Sequence, residues 1–500
     1  MGSNLEIPTN ALDSCRNRYP EPFRASAEQE PLSSDAFVIR RLGWNKVGDD
    51  VVYCTGDKIL SHRKDAVYPI SKELSDSYCR FPGADCTPKE AVETMLKFIK
   101  INPRISNFLF AACLLGCLRQ CFVDAEVYPE CAVYLVGPTQ TRKTRTAQLG
   151  SRFIRWIDEN CRDGAEPEQA NCIRNASTGY AMAESVDKIK DVVFILDDLY
   201  RDQDGKIRRG MESAVTRMVR DSADHAARKS KNNAFKPNCQ LLITAEYVLG
   251  NLTTQGRMLM LFVEYEPENG GNSPDDGNAS CFYSERLRAV QREKEKIPVF
   301  YENFLTWFSG RYCSAVEQIC QGAVDRHVNK GVMTRVYEEC WMLRTAFQFF
   351  LEYAESLDMG INSAGLLSEF DRNRQEILKA QSAFLRRQIQ RSRKSRNTNY
   401  SKILVDLMTR GGLDEISDKD FYKHKENIRI RTAPLCNAIS RFCGFGVSEK
   451  ELTKYFRDRG ISLTYTNGSN KRDKDGRLLE LSEERLRKDA EDSWIDEYLI

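Results

Sequence analysis

The run Gly137-Pro138-Thr139-Gln140-Thr141-Arg142-Lys143-Thr144 decides the reading of this chain because of where it stands. It follows directly on the apolar segment CAVYLVG (131–137) and leads into a segment patterned as a helix from about Lys143 to Trp156. An apolar strand, a polar turn and a helix opening on Lys-Thr make up the G-x-x-x-x-G-K-[ST] arrangement of a phosphate-binding loop. In such a loop, backbone N–H groups surround triphosphate oxygens and the helix turns its positive end toward the anion. Lys143 is then placed to reach the β- and γ-phosphates of ATP, and Thr144 to ligate Mg2+. Arg142 departs from the pattern. It stands where the second glycine belongs, and glycine adopts backbone conformations there that are costly for other residues. The substitution weighs against tight closure of the loop and against hydrolysis. Taken alone, the octapeptide serves equally well as an ordinary polar connection.

Three further segments shift that balance. VVFILDD (192–198) is an apolar strand ending in two carboxylates about fifty residues downstream. Asp197 suits the metal side and Asp198 the activation of a water. The alternative, a helix cap or a solvated strand end, rarely follows five apolar residues in this context. QLLITAE (240–246) is a third strand, with Thr244 positioned to orient an attacking water, and a capping role as the alternative. MLMLFVEY (258–265) is a fourth, preceded by Arg257, which suits an arginine finger for a neighbouring subunit and equally a surface position. Fully apolar strands separated by helices predict an α/β fold with a parallel sheet covered on both faces.

The order of these elements resembles the AAA+ ATPases, and more narrowly the helicase-like ATPases of phages, plasmids and chromosomal cassettes. That family of mobile genetic elements is related to the superfamily 3 and minichromosome-maintenance helicases. LGWNKVGDDVVYCTGDKIL (42–60) is similar to the opening of a domain in it. The similarity continues through the greasy segment 105–118, VYLVGPTQTRKT, ILDDL and LLITAE, and covers about residues 37–360. The resemblance implies a P-loop AAA+ core, ATP and Mg2+ as cofactors, and a homo-hexameric ring that moves along or unwinds DNA. It makes Lys143 and Thr144 the Walker A pair, Asp197 and Asp198 the Walker B pair, Thr244 sensor 1 and Arg257 the arginine finger. Arg335 and Arg344 both remain candidates for sensor 2.

Composition frames this reading. The chain has 500 residues, so a prior of roughly 150 per domain suggests about three domains. Lys and Arg number 74 against 72 Asp and Glu, for a net charge of +2, which excludes a histone-like polycation. With 41% apolar and 29% charged residues the chain folds rather than staying disordered. The first 30 residues are polar and acidic with no apolar signal core, and the longest greasy stretch, Ile105 to Leu118, falls short of the roughly 20 residues a membrane span needs. A cytoplasmic protein without membrane association is expected. The 17 Cys include no C-x-x-C, and with four isolated His no zinc site is expected. Cys113, Cys117 and Cys121 read as one buried helix face.

The near-neutral total is a cancellation. Residues 201–236 hold ten Lys/Arg against five acids, residues 372–396 hold nine against one, and the tail 479–500 holds eight acids against three Lys/Arg. RKSKNNAFK (228–236) is basic and turn-like just before the sensor strand. In the resembled helicases a hairpin here grips DNA in the pore. Arg228, Lys229 and Lys231 are therefore candidate phosphate contacts and Phe235 a stacking residue, with a solvated loop as the alternative. Region 400–480 resembles a winged helix: VSEKELTKYFRDRG supplies a recognition-type helix, NGSNKRDKDG a wing tip and RLLEL the returning strand. Lys450, Lys454, Arg457, Lys471 and Arg472 are its candidate DNA contacts. A small α+β domain with protein partners is the alternative.

The expected organisation is a loosely ordered 1–36, an N-terminal α+β region 37–125, the ATPase core 126–284, a helical lid 285–390, a basic linker 391–399, and a winged-helix-like domain with acidic tail 400–500. The expected function is an ATP-driven DNA helicase or translocase acting in replication. A nucleotide-binding switch without hydrolysis, and a DNA-binding initiator or regulator, are the alternatives.

Overall fold

A computed structural model of the chain describes residues 38–63, 66–157, 169–174, 179–199, 205–225, 228–229, 234–235, 237–249, 252–264, 281–324, 333–409, 413, 416–417, 419–424, 426–443, 446–463, 472–473 and 476–492. It divides into two compact units, with boundaries at Tyr247/Val248, Phe262/Val263, His327/Val328, Cys340/Trp341 and Leu367/Ser368.

The first unit opens with an antiparallel sheet of β1 (Gly43–Val47), β2 (Asp50–Cys54) and β3 (Ile59–Leu60). β4 (Tyr78–Arg80) follows, and then the helix Pro88–Phe98. That helix starts where Thr87 and Glu90 form a reciprocal cap: the Thr87 hydroxyl accepts from the Glu90 N–H at 3.3 Å, and Glu90 Oε2 accepts from the Thr87 N–H at 2.7 Å. The helix Ser106–Asp124 carries the greasy stretch and the three expected cysteines, all buried. It is the one described helix long and apolar enough to cross a membrane, and it lies almost wholly inside the protein.

β5 (Ala132–Val136) leads to the loop 137–142 and the helix Lys143–Gly150. The expected helix to Trp156 stops early. Gly150 packs so tightly that a Cβ there would lie 2.6 Å from the Phe98 ring, and β6 (Ile154–Trp156) turns away to pair with β4. β7 (Cys172–Arg174) and β8 (Lys190–Leu199) follow, then the helix Gly205–Ala223 and a short hairpin of β9 (Arg228–Lys229) and β10 (Ala234–Phe235). β11 (Asn238–Ala245) completes the central sheet of this unit, ordered β5-β11-β8-β7, and β12 (Met258–Phe262) belongs to the second unit. The β5–β11, β11–β8 and β8–β7 pairings are all parallel. This is the expected P-loop α/β architecture, and β5 and β11 are buried along almost their whole length, as a sheet covered on both faces requires.

A buried carboxylate ties the small N-terminal sheet to β8. Asp191 is fully buried, and its Oδ2 accepts from the Trp44 N–H at 2.9 Å and its Oδ1 from the Gln120 N–H at 3.1 Å. Its backbone oxygen accepts from the Tyr53 hydroxyl at 2.6 Å, and Lys190 Nζ lies 3.4 Å from Oδ2. Burial raises the Asp191 pKa, and Lys190 and the Trp44 N–H oppose the rise. Gly43 is imposed by this clamp: its φ is +78°, and a Cβ would lie 2.4 Å from Asp191 Oδ2. Gly116 answers a second close approach, since a Cβ there would lie 2.4 Å from the Val193 nitrogen.

In the second unit, the helix Ser363–Asn397 runs unbroken through 391–396, so the segment expected as a basic linker is helical. Positions 366–397 contain no Gly or Pro and are rich in Arg, Lys, Gln and Leu, all good helix formers. Gln381 on this helix treats β12 as a strand neighbour would: its Oε1 accepts from the Met260 N–H at 3.0 Å and its Nε2 donates to the Met258 oxygen at 2.8 Å. The chain ends in an antiparallel sheet of β13 (Phe421–His424), β14 (Asn427–Arg431), β15 (Arg472–Asp473) and β16 (Gly476–Ser482), ordered β13-β14-β16-β15. The helices Tyr400–Thr409, Thr432–Cys443, Glu449–Asp458 and Glu483–Asp492 belong to the same part, whose core includes Leu404, Ile428, Ile430, Ile439, Leu452 and Leu479.

The clamp makes a stability prediction. Gly43→Ala adds both a clash and left-handed strain and should cost about 3 kcal/mol. Gly48→Ala has a similar φ of +60° but open space around it, and should cost only about 1 kcal/mol. Urea denaturation of both variants checks the ranking, and equal losses would remove the clamp from the account.

Candidate functional site

The loop after β5 is shaped by a close approach at Gly137 and by two left-handed residues. Gly137 is required because a Cβ there would lie 2.1 Å from the Val263 oxygen. Gln140 and Arg142 take left-handed conformations, with φ of 69° and 60°. The glycine expected at 142 is therefore explained by backbone conformation, and Arg142 adopts that conformation itself. The cost is about 1–2 kcal/mol for an L-residue, and the Arg142 side chain is exposed to solvent. The helix that begins at Lys143 has no side-chain cap from Arg142. First-turn N–H groups at such a terminus suit an anionic ligand.

Lys143 folds back over its own loop. Nζ donates to the Gly137 and Pro138 oxygens, each at 2.7 Å, and to Thr141 Oγ1 at 3.2 Å. Thr139 donates its hydroxyl proton to Glu246 Oε1. Glu246 escaped the sequence analysis, although it stands two residues after Thr244, because 107 positions separate it from Thr139.

The sheet order brings the metal-side residues together. β11 lies between β5 and β8, so Thr244 stands between the strand that leads into the loop 137–142 and the strand that carries Asp197. Asp197 Oδ1 accepts from Thr144 Oγ1 at 2.5 Å and from Thr244 Oγ1 at 2.8 Å, and the two hydroxyls are 3.3 Å apart. Asp197 is 8% exposed and Thr244 1%. A carboxylate and a threonine hydroxyl converging beside a helix N-terminus form an all-oxygen donor set, which suits a hard divalent cation. These residues fit Mg2+, which Thr144 and Asp197 would hold. Asp198 lies in β8, and its side chain falls outside the described atoms.

The remaining candidates are spread over other elements. Arg257 follows the short helix Leu252–Gln255, and its Nη1 donates to the Thr253 oxygen at 3.1 Å. Arg335 and Arg344 lie on the helix Thr334–Ser356, both half-buried, with Arg344 in the first unit and Arg335 in the second. Arg228 and Lys229 form β9 and Phe235 ends β10, with Arg228 paired to Phe235, while Lys231 falls outside the described residues. Lys450, Lys454 and Arg457 are exposed on the helix Glu449–Asp458, where spacings of four and three set them on one face. Arg472 pairs across the β15–β16 hairpin with Arg477, and Lys471 falls outside the described residues.

No family model matches the chain, and no curated protein matches it in sequence. Among solved structures it is similar to the SCCmec type IV Cch active helicase, at 12% identity and a TM-score of 0.44, over 92% of this chain and 82% of that one. It is also similar to the JCV helicase, at 12% identity and a TM-score of 0.21, over 58% of this chain and 74% of that one. Overlaps of this size leave the assignment of the site to its own geometry.

The backbone at 142 makes a prediction of its own. Arg142→Gly should leave nucleotide affinity within about threefold, because the loop already holds the left-handed turn. Arg142→Val places a β-branched residue in that conformation and should weaken nucleotide binding by about tenfold or more. Fluorescent-nucleotide titration of both variants checks this. Equal affinity for Val and Gly would show that the turn is not used in binding.

Proposed function

We propose that this chain is an ATP-dependent DNA helicase or translocase, an AAA+ ATPase of the superfamily 3-like type found in mobile genetic elements, working as a ring of identical subunits on DNA. The observation that carries the reading is the sharing of Asp197 Oδ1 by Thr144 and Thr244 directly behind the loop 137–144. A polar connection without a ligand has no need to join the hydroxyl of its helix, a strand carboxylate and a buried threonine at one point.

In this reading the loop N–H groups and Lys143 bind the phosphates. Thr144 and Asp197 hold Mg2+, which when bound polarises the phosphates and offsets charge on the leaving group. Thr244 orients a water, and Asp198 accepts its proton. Arg257 reaches the nucleotide of a neighbouring subunit in a hexamer, and Arg335 or Arg344 serves as the second sensor. The Arg228–Phe235 hairpin contacts DNA in the pore. The Lys450–Lys454–Arg457 face and the hairpin at Arg472 add a second, winged-helix contact.

The test is ATP turnover of wild type and Lys143→Ala, each with and without single-stranded DNA. DNA-stimulated turnover that vanishes in the variant supports the reading. A folded protein that binds nucleotide but turns nothing over favours a nucleotide-binding switch or a DNA-binding regulator instead.

The second contact is tested separately. Lys454→Ala should weaken duplex binding across all sequences and lower the slope of log affinity against log salt by about one. Anisotropy titrations at several salt concentrations measure this, and an unchanged slope would remove the helix Glu449–Asp458 from the interface.

A further inference from the structure

Residues 246 and 247, just past the end of β11, join three elements of the first unit. Glu246 Oε1 accepts the Thr139 hydroxyl of the phosphate loop. The oxygen of Tyr247 accepts from the Tyr134 hydroxyl on β5 at 2.7 Å, and the Tyr247 hydroxyl donates to Glu212 Oε1 on the helix Gly205–Ala223 at 2.8 Å. That helix precedes the β9–β10 hairpin in the chain, and three residues after Phe235 the chain enters β11, which ends just before Glu246. The hairpin thus lies in the chain between the helix and β11, and these two elements meet at Tyr247.

We infer that Glu246 and Tyr247 form a relay that couples occupancy of the phosphate loop to the basic hairpin, with Glu246 a positioning residue for the loop and Tyr247 the link to the helix. The inference rests on the function proposed above. Its physical basis is a contact that differs between two states. A carboxylate bonded to the loop faces charge of its own sign once a triphosphate enters, and Lys143 must give up the Gly137 and Pro138 oxygens to meet that triphosphate. A ligand shifts a conformational equilibrium only through such differential contacts. Movement of Glu246 carries the adjacent Tyr247 with it, and Tyr247 is hydrogen-bonded to the helix that leads into the hairpin.

Coupling of this kind is reciprocal in binding, so it can be read without turnover. The experiment measures single-stranded DNA affinity with and without a non-hydrolysable ATP analogue and Mg2+, for wild type, Tyr247→Phe, Glu212→Ala and Glu246→Gln. Wild type should show the analogue changing DNA affinity by about fivefold or more, with DNA changing analogue affinity by the same factor. In Tyr247→Phe each ligand alone should bind within about twofold of wild type while the coupling factor falls below about two. Glu212→Ala should repeat that loss from the other side of the bond, so a folding defect in one variant leaves the inference testable in the other. Glu246→Gln should lose the coupling while binding the analogue more tightly. Full coupling in Tyr247→Phe and Glu212→Ala overturns the relay, as does a wild type that binds both ligands without coupling. A wild type that binds no nucleotide or no DNA overturns the function on which the relay rests.

Discussion

One oxygen atom, Oδ1 of Asp197, accepts hydrogen bonds from Thr144 and Thr244, and the architecture of the first unit is arranged so that these groups converge. Thr144 sits on the helix after β5, Thr244 on β11 and Asp197 on β8, and only a sheet with β11 between the other two brings them together. The parallel pairing ends all three strands on the same side, where the loop 137–144 lies. The apolar interiors of these strands place the polar groups at the strand ends, because a buried carboxylate without partners is costly.

β8 carries a carboxylate near each end, and the two do different work. Asp191, near its start, is sealed from solvent, and its pKa is raised by burial while backbone N–H groups of Trp44 and Gln120 hold it. It fixes the strand against the small N-terminal sheet. Asp197, six residues on, keeps a little exposure and faces hydroxyls. The first is an internal staple, and the second has the partners of a cation ligand. This division explains why the N-terminal motif around Gly43 and Trp44 belongs with the central sheet: its glycine leaves room for the carboxylate that anchors the strand bearing Asp197.

The strands of the central sheet and the loop were legible in the sequence because their signals are local: compact apolar runs, a polar turn and Lys-Thr at a helix start. That Thr144, Asp197 and Thr244 stand at strand and helix ends was legible from spacing, while their sharing of one oxygen was not. Other features depend on distant partners. The Asp191 clamp joins residues 147 apart in sequence and the Thr139–Glu246 bond residues 107 apart, and neither leaves a periodic signal. At Arg142 the sequence shows the residue type but not the left-handed backbone that the residue adopts. The helix ends at Gly150 and the chain turns into β6, whose partner β4 lies more than seventy positions away, a pairing no local pattern records. The basic run 391–396 looked like a linker by charge, yet its residues are strong helix formers, and the helix continues through it.

The most direct test of the shared-oxygen site is calorimetric titration of ATP with and without Mg2+ on wild type and Asp197→Asn. Mg2+ should strengthen binding to wild type, and this gain should fall by at least about tenfold in the variant while binding without Mg2+ is kept. An Asp197→Asn protein that retains the full Mg2+ gain would contradict it.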